Sequence, residues 1–66
     1  MSTAVEFGTY YNEIRSKHKS DSEAIRKAMD KFNKKINFSY FNLIDIHFLD
    51  GSVAYWDGKK FIEKYD

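Results

Sequence analysis

The chain has no cysteine and no proline, and only three of its 66 residues are glycine. Without cysteine, neither a disulfide nor a thiolate-bound metal can supplement the core, and no thiol nucleophile exists. No apolar run approaches the roughly 18 residues needed to span a bilayer. The first residues lack the basic segment and apolar stretch of a signal peptide. These absences lead to an expected location in the cytoplasm, the host's cytoplasm if the chain is phage-encoded.

Aromatic residues are abundant: six Phe, five Tyr and one Trp make up 18% of the chain. In a single small domain spanning 1–66 they must supply most of the buried area. Such a core yields a net stability of roughly a few kcal/mol. A homodimer would add to it and is one expected assembly. Lys, Asn, Ile, Phe and Tyr are plentiful. Their codons are AT-rich, as in the genomes of many phages and mobile elements.

The net charge is +1 but unevenly placed. Residues 1–14 hold Glu6 and Glu13 and no cation. Residues 15–35 hold eight Lys or Arg against three acids, and residues 36–66 hold three Lys against five acids. A basic middle between mildly acidic ends is the main electrostatic feature.

Thr3-Ala4-Val5-Glu6 matches a capping box, with Thr3 as the predicted cap. Phe7, Tyr10, Tyr11, Ile14 and His18 follow at one-face helical spacing. Gly8 weakens that helix by about 1 kcal/mol relative to alanine. Ser20-Asp21-Ser22-Glu23 is a second capping box, and Ile25, Ala28, Met29, Phe32 and Ile36 repeat the stripe. The stripes lie a whole number of turns apart, so one unbroken helix over about 4–35 is the rival to two short ones. The Ser-Asp-Ser run prefers caps over helix interiors and favours two.

Asp50-Gly51 and Asp57-Gly58 separate three short runs rich in apolar and aromatic residues. Asp-Gly between such runs is a strong hairpin signal, and a type I′ turn needs positive φ at both central residues. Two in succession predict a three-stranded antiparallel meander, its first strand over about 42–49. Residues 37–42 are ambiguous between loop and strand. The expected fold is α+β: two N-terminal helices, or one long helix, packed on a three-stranded meander.

Two-residue loops at both Asp-Gly pairs set Phe48 against Val53 and Ala54 against Phe61. Alternation then places Ile44, Ile46, Phe48, Val53, Tyr55 and Ile62 on one face, the better core. Leu43, Asp45, His47, Leu49, Ala54, Trp56 and Phe61 share the other. Helices enough for one face leave the second as an exposed apolar patch, the mark of a partner site. Leu43, Asp45, His47, Trp56, Phe61 and Lys59 are therefore the predicted partner-binding residues, with Trp56 as anchor. One shifted residue at the second turn, as in a bulged loop, would swap Phe61 for Ile62 on this face.

Chemistry-bearing patterns are sparse. Asp45 and His47 share a strand face, but two ligands do not make a metal site, and a structural or interfacial role is the expectation. The Asp-Gly pairs fit neither a phosphate loop nor a calcium loop. No serine lies in a nucleophile elbow. Neither catalysis nor a cofactor or metal is expected.

Arg26, Lys27, Lys31, Lys34 and Lys35 form a basic surface, with lysines repeating at four-residue spacing. Like charges so placed repel by a few tenths of about 1 kcal/mol. They read either as a solvated helix face or as a site for phosphate or an acidic protein.

The favoured expectation is a non-enzymatic protein-binding module, inhibiting or regulating a larger protein stoichiometrically by occlusion. The basic helix would steer it to an acidic surface. By analogy alone, its size and composition fit a phage or mobile-element protein directed at host machinery or host defence, as anti-CRISPR proteins are. The second expectation is nucleic-acid binding through the basic helix, without a recognisable RNA-binding motif.

Overall fold

The computed structural model describes residues 2–40 and 44–64. Two helices precede a three-stranded antiparallel meander of order β1-β2-β3, an α+β fold with the first helix packed on the strands. The helices are α1 (Thr3–Lys17) and α2 (Asp21–Lys31); the strands are β1 (Asp45–His47), β2 (Val53–Trp56) and β3 (Phe61–Lys64). Among the described residues no helix is long and apolar enough to cross a membrane.

The cap of α1 is Ser2 rather than Thr3; its hydroxyl accepts from the Val5 N–H at 3.2 Å. The next orphan donors are satisfied by residues distant in the sequence. The N–H of Thr3 donates to Asp50 Oδ2 at 2.9 Å, and that of Ala4 to Ser52 Oγ at 3.0 Å. The turn between β1 and β2 thus seats the helix start, a tertiary cap that no local pattern encodes. Hydrogen bonds donated by the Ser52 hydroxyl first, and then by the Thr3 and Ser52 N–H groups, hold the Asp50 carboxyl well below the usual carboxylate range.

Two helices form, not one. Arg15 ties off the junction, donating from Nη1 to the His18 carbonyl at 2.6 Å and from Nε to Asp21 Oδ1 at 2.5 Å. Ser20 then caps α2, accepting from the Glu23 N–H at 3.4 Å. Tyr11 donates its hydroxyl to Asp21 at 3.0 Å. Burial, reinforced by that carboxylate, pushes the phenol up to about 12. It stays a proton donor at neutral pH.

Helix α2 stops at Lys31, and Asn33–Lys35 is a 3₁₀ turn. Lys34 and Lys35 therefore leave the helix, and the expected single helical row of lysines is interrupted. The chain then pairs briefly with β1. Ile36 sits opposite Phe48, with the Asn37 N–H bonded to the His47 carbonyl and the Leu49 N–H to the Lys35 carbonyl, each at 2.8 Å. Phe38–Tyr40 form a second 3₁₀ turn in the stretch left ambiguous between loop and strand.

Both hairpins depart from the predicted register. In the first, the Phe48 N–H bonds the Ser52 carbonyl and the Gly51 N–H bonds the Phe48 carbonyl. The loop is thus Leu49-Asp50-Gly51, three residues, with Gly51 at φ +92°. This is a type I turn followed by a glycine bulge. His47 pairs with Val53 and Ile46 with Ala54, one residue off expectation.

In the second hairpin the Asp57 N–H bonds the Lys60 carbonyl at 3.0 Å, so the two loop residues are Gly58 and Lys59. Only the glycine has positive φ, +105°, the sense of a II′ turn. Trp56 pairs with Phe61 and Tyr55 with Ile62, a shift of two that keeps each residue on its face.

The first shift exchanges the faces of β2 and β3 relative to β1. Ile46, Phe48, Ala54 and Phe61 are buried in one cluster with Phe7 and Tyr11 of α1. Phe61 is central: its ring lies 5.0 Å from Phe7 and 5.1 Å from Tyr11, both edge-on. Asp45, His47, Val53, Tyr55, Ile62 and Lys64 fall on the opposite face by alternation. Because Lys60 bonds inward to Asp57, the peptide groups of Phe61 point off the sheet. There α1 lies against them. A Cβ at Gly8 would sit 3.1 Å from the Phe61 carbonyl oxygen, so glycine is what allows the helix so close.

Candidate functional site

The six predicted partner-binding residues do not form one patch. Phe61 is 5% exposed and belongs to the core. Trp56 is half-buried, packed against Tyr11 at 5.5 Å and Phe61 at 4.9 Å. Asp45 and His47 lie on the other face of the sheet. Lys59 is exposed in the second loop. Leu43 lies outside the described residues. The one-residue lengthening of the first loop accounts for the separation of Trp56 and Phe61 from Asp45 and His47.

On the outer face, Asp45 Oδ2 is 3.4 Å from Lys64 Nζ, which also lies 5.3 Å from the Tyr55 ring centroid. The His47 ring is 5.6 Å from that of Tyr40. Asp45 Oδ1 is buried and accepts no hydrogen bond among the described residues. Among those residues no group of three His, Asp or Glu side chains could hold a metal ion.

A concave apolar feature lies elsewhere and has Trp56 in its wall. Ser22, Ile25, Arg26, Met29 and Asn33 follow one another at helical spacing along and just beyond α2. With Phe38, Ile44 and Trp56 they line a groove of about 690 Å³. Its position follows from the side chains of α2. Ala24 and Ala28 are fully buried, and the longer Ile25 and Met29 pack on the core only in part. What they leave uncovered becomes the groove wall. Asp30 and Arg26 flank it with one charge of each sign.

A second groove of about 570 Å³ runs between the helices and is polar in character, with Tyr10, Glu13 and Lys17 on one side and Lys27, Asp30 and Lys31 on the other. The Lys31 ammonium sits 5.0 Å over the Tyr10 ring, and that of Lys35 5.8 Å over Phe32. The predicted basic surface is thus divided. Arg26 borders the apolar groove, Lys27 and Lys31 the polar one, and Lys34 and Lys35 follow in the 3₁₀ turn.

No family model matches the chain, and neither a curated protein nor a solved structure matches it. The site must be read from its own geometry. Trp56 was identifiable in the sequence as the residue to test. Sequence pattern assigns Ile25 and Met29 to the core stripe of α2 and Ile44 to the core face of the sheet, where Ile44 is in fact 53% exposed, and it does not mark Phe38. The signal of Ile25 and Met29 is an apolar stripe on α2 wider than contact with α1 alone consumes.

Proposed function

We propose that the chain is a small non-enzymatic binding module that engages a larger protein stoichiometrically, with the apolar groove beside α2 as its contact surface. The observation that carries this reading is the placement of Trp56, half-buried with Ile25 and Met29 in the wall of that groove. Aromatic anchors at the rim of a concave apolar surface dominate binding energy when a partner covers them. Methionine in the same wall lets the surface adapt to its partner. The action is occlusion: the bound module covers a surface its target needs. By analogy with small phage proteins of similar composition, the target belongs to host machinery or host defence.

Nucleic-acid binding draws less support. The basic residues border two different grooves, and Glu13 and Asp30 stand among them.

The experiment is affinity capture from a host lysate with wild-type protein and with Met29→Lys and Lys34→Glu variants. Capture at equal stoichiometry is expected for wild type and Lys34→Glu. Loss is expected for Met29→Lys, whose circular dichroism should match wild type because a lysine stem can replace the methionine. The lone Trp56 gives a second readout, a shift of its emission when the purified partner is added. Equal capture by Met29→Lys would overturn the assignment of the groove.

A further inference from the structure

The two Asp-Gly pairs are chemically identical and structurally unlike. Asp-Gly is prone to a self-reaction in which the glycine nitrogen attacks the aspartate Cγ, unhindered by any side chain. A C–N bond forms, the nitrogen loses its proton, and the carboxyl oxygen leaves as water. The resulting succinimide adds water at either carbonyl, giving back aspartate or giving isoaspartate. No cofactor or oxidant is needed. The reaction requires a glycine N–H that is not committed elsewhere and a carboxyl group that can turn toward it.

At Asp50-Gly51 both requirements fail. The Gly51 N–H is held by the Phe48 carbonyl at 3.1 Å. Both carboxyl oxygens of Asp50 are held too: Oδ1 by the Ser52 N–H at 2.9 Å and the Ser52 hydroxyl at 2.6 Å, and Oδ2 by the Thr3 N–H at 2.9 Å. At Asp57-Gly58 only Oδ1 is engaged, by the N–H groups of Lys59 and Lys60 at 2.8 and 2.9 Å. The Gly58 N–H has no hydrogen-bond partner among the described residues. The whole 57–60 loop is exposed, and nothing lies within 4 Å of the position a Gly58 Cβ would take.

We propose that Asp57-Gly58, and not Asp50-Gly51, is the self-modification site of this chain, forming isoaspartate through a succinimide. The change has a structural consequence. Isoaspartate adds one carbon to the backbone at the residue that closes the second hairpin opposite Lys60. The next pair inward is Trp56 with Phe61, so ageing at this site reaches the groove wall through the turn.

The test is incubation of the full chain near neutral pH, followed by proteolysis and peptide mass spectrometry with isoaspartyl methyltransferase labelling. Isoaspartate is expected to accumulate several-fold faster at Asp57 than at Asp50. In urea, where both turns are lost, the two rates should converge. Asp57→Glu, which cannot close a five-membered ring, should abolish the signal at that peptide. Equal rates in the folded protein, or a ratio that persists in urea, would overturn the proposal. The readout does not depend on any partner, so it stands or falls apart from the binding reading.

Discussion

On the face of the sheet that meets α1, Ile46, Ala54 and Phe61 are buried and enclose aromatic rings at close contact distances. On the opposite face, Asp45, Tyr55 and Lys64 meet through a charge contact and a cation over a ring, while Ile62 stays 42% exposed. β2 and β3 put apolar residues on both faces, with Val53, Tyr55 and Ile62 on the outer one and Val53 buried there, whereas β1 gives that face Asp45 and His47. Only one face is closed by a helix. The composition of β2 and β3 alone does not say which of their faces joins Ile46 in the core. The length of the first loop decided it, because one residue more in the loop reverses which strand positions meet across the sheet.

Substitution can break this asymmetry. The largest effect is expected at Phe61→Ala. Removing a buried aromatic from between Phe7 and Tyr11 costs about 3–5 kcal/mol, comparable to the whole stability of so small a domain. Urea denaturation followed by circular dichroism should show the variant largely unfolded. A midpoint near wild type would mean that the helix-covered face is not the core.

An intermediate effect is expected at Asp50→Ala, which removes the link between the first loop and the start of α1. Loss of such a cap costs about 1 kcal/mol. The carboxyl is held below its unfolded range, so its contribution is present above that range and fades as pH falls through the folded value. Solvent screening reduces it at this exposed position. Wild type should lose stability on acidification more steeply than the variant. Parallel curves would show that the carboxylate does not anchor the helix.

The smallest effect is expected at Ile62→Ser, on the open face. A half-exposed side chain away from the core should change stability by about 0.5 kcal/mol or less. A loss approaching that of Phe61→Ala would show that both faces are sealed, and the comparison would fail.

Much of the architecture was legible in the chain. The helical stripes and the Ser20 capping box gave two helices, and the two Asp-Gly pairs gave the meander. What escaped has physical reasons. Asp-Gly signals a turn but does not say whether Leu49 joins the loop, and that one residue moved Trp56 and Phe61 to the helix side. The pairing of Ile36 with Phe48 is a single bridge, too short for alternation to reveal. The Asp50 contact to Thr3 joins residues 47 positions apart, beyond the reach of any local pattern. On sequence alone Trp56 reads as both exposed and an anchor. Its half-buried position in a groove wall has elements of each, because the same ring that touches Tyr11 also borders the groove.

Gly8 has a consequence beyond packing. By letting α1 rest on the Phe61 carbonyl, it covers part of a strand border that could otherwise recruit a strand from another molecule. The short segment at Ile36 blocks part of the opposite border. An aromatic-rich sheet of three strands is a natural seed for fibrils. Here a missing side chain in a helix helps keep that seed from growing.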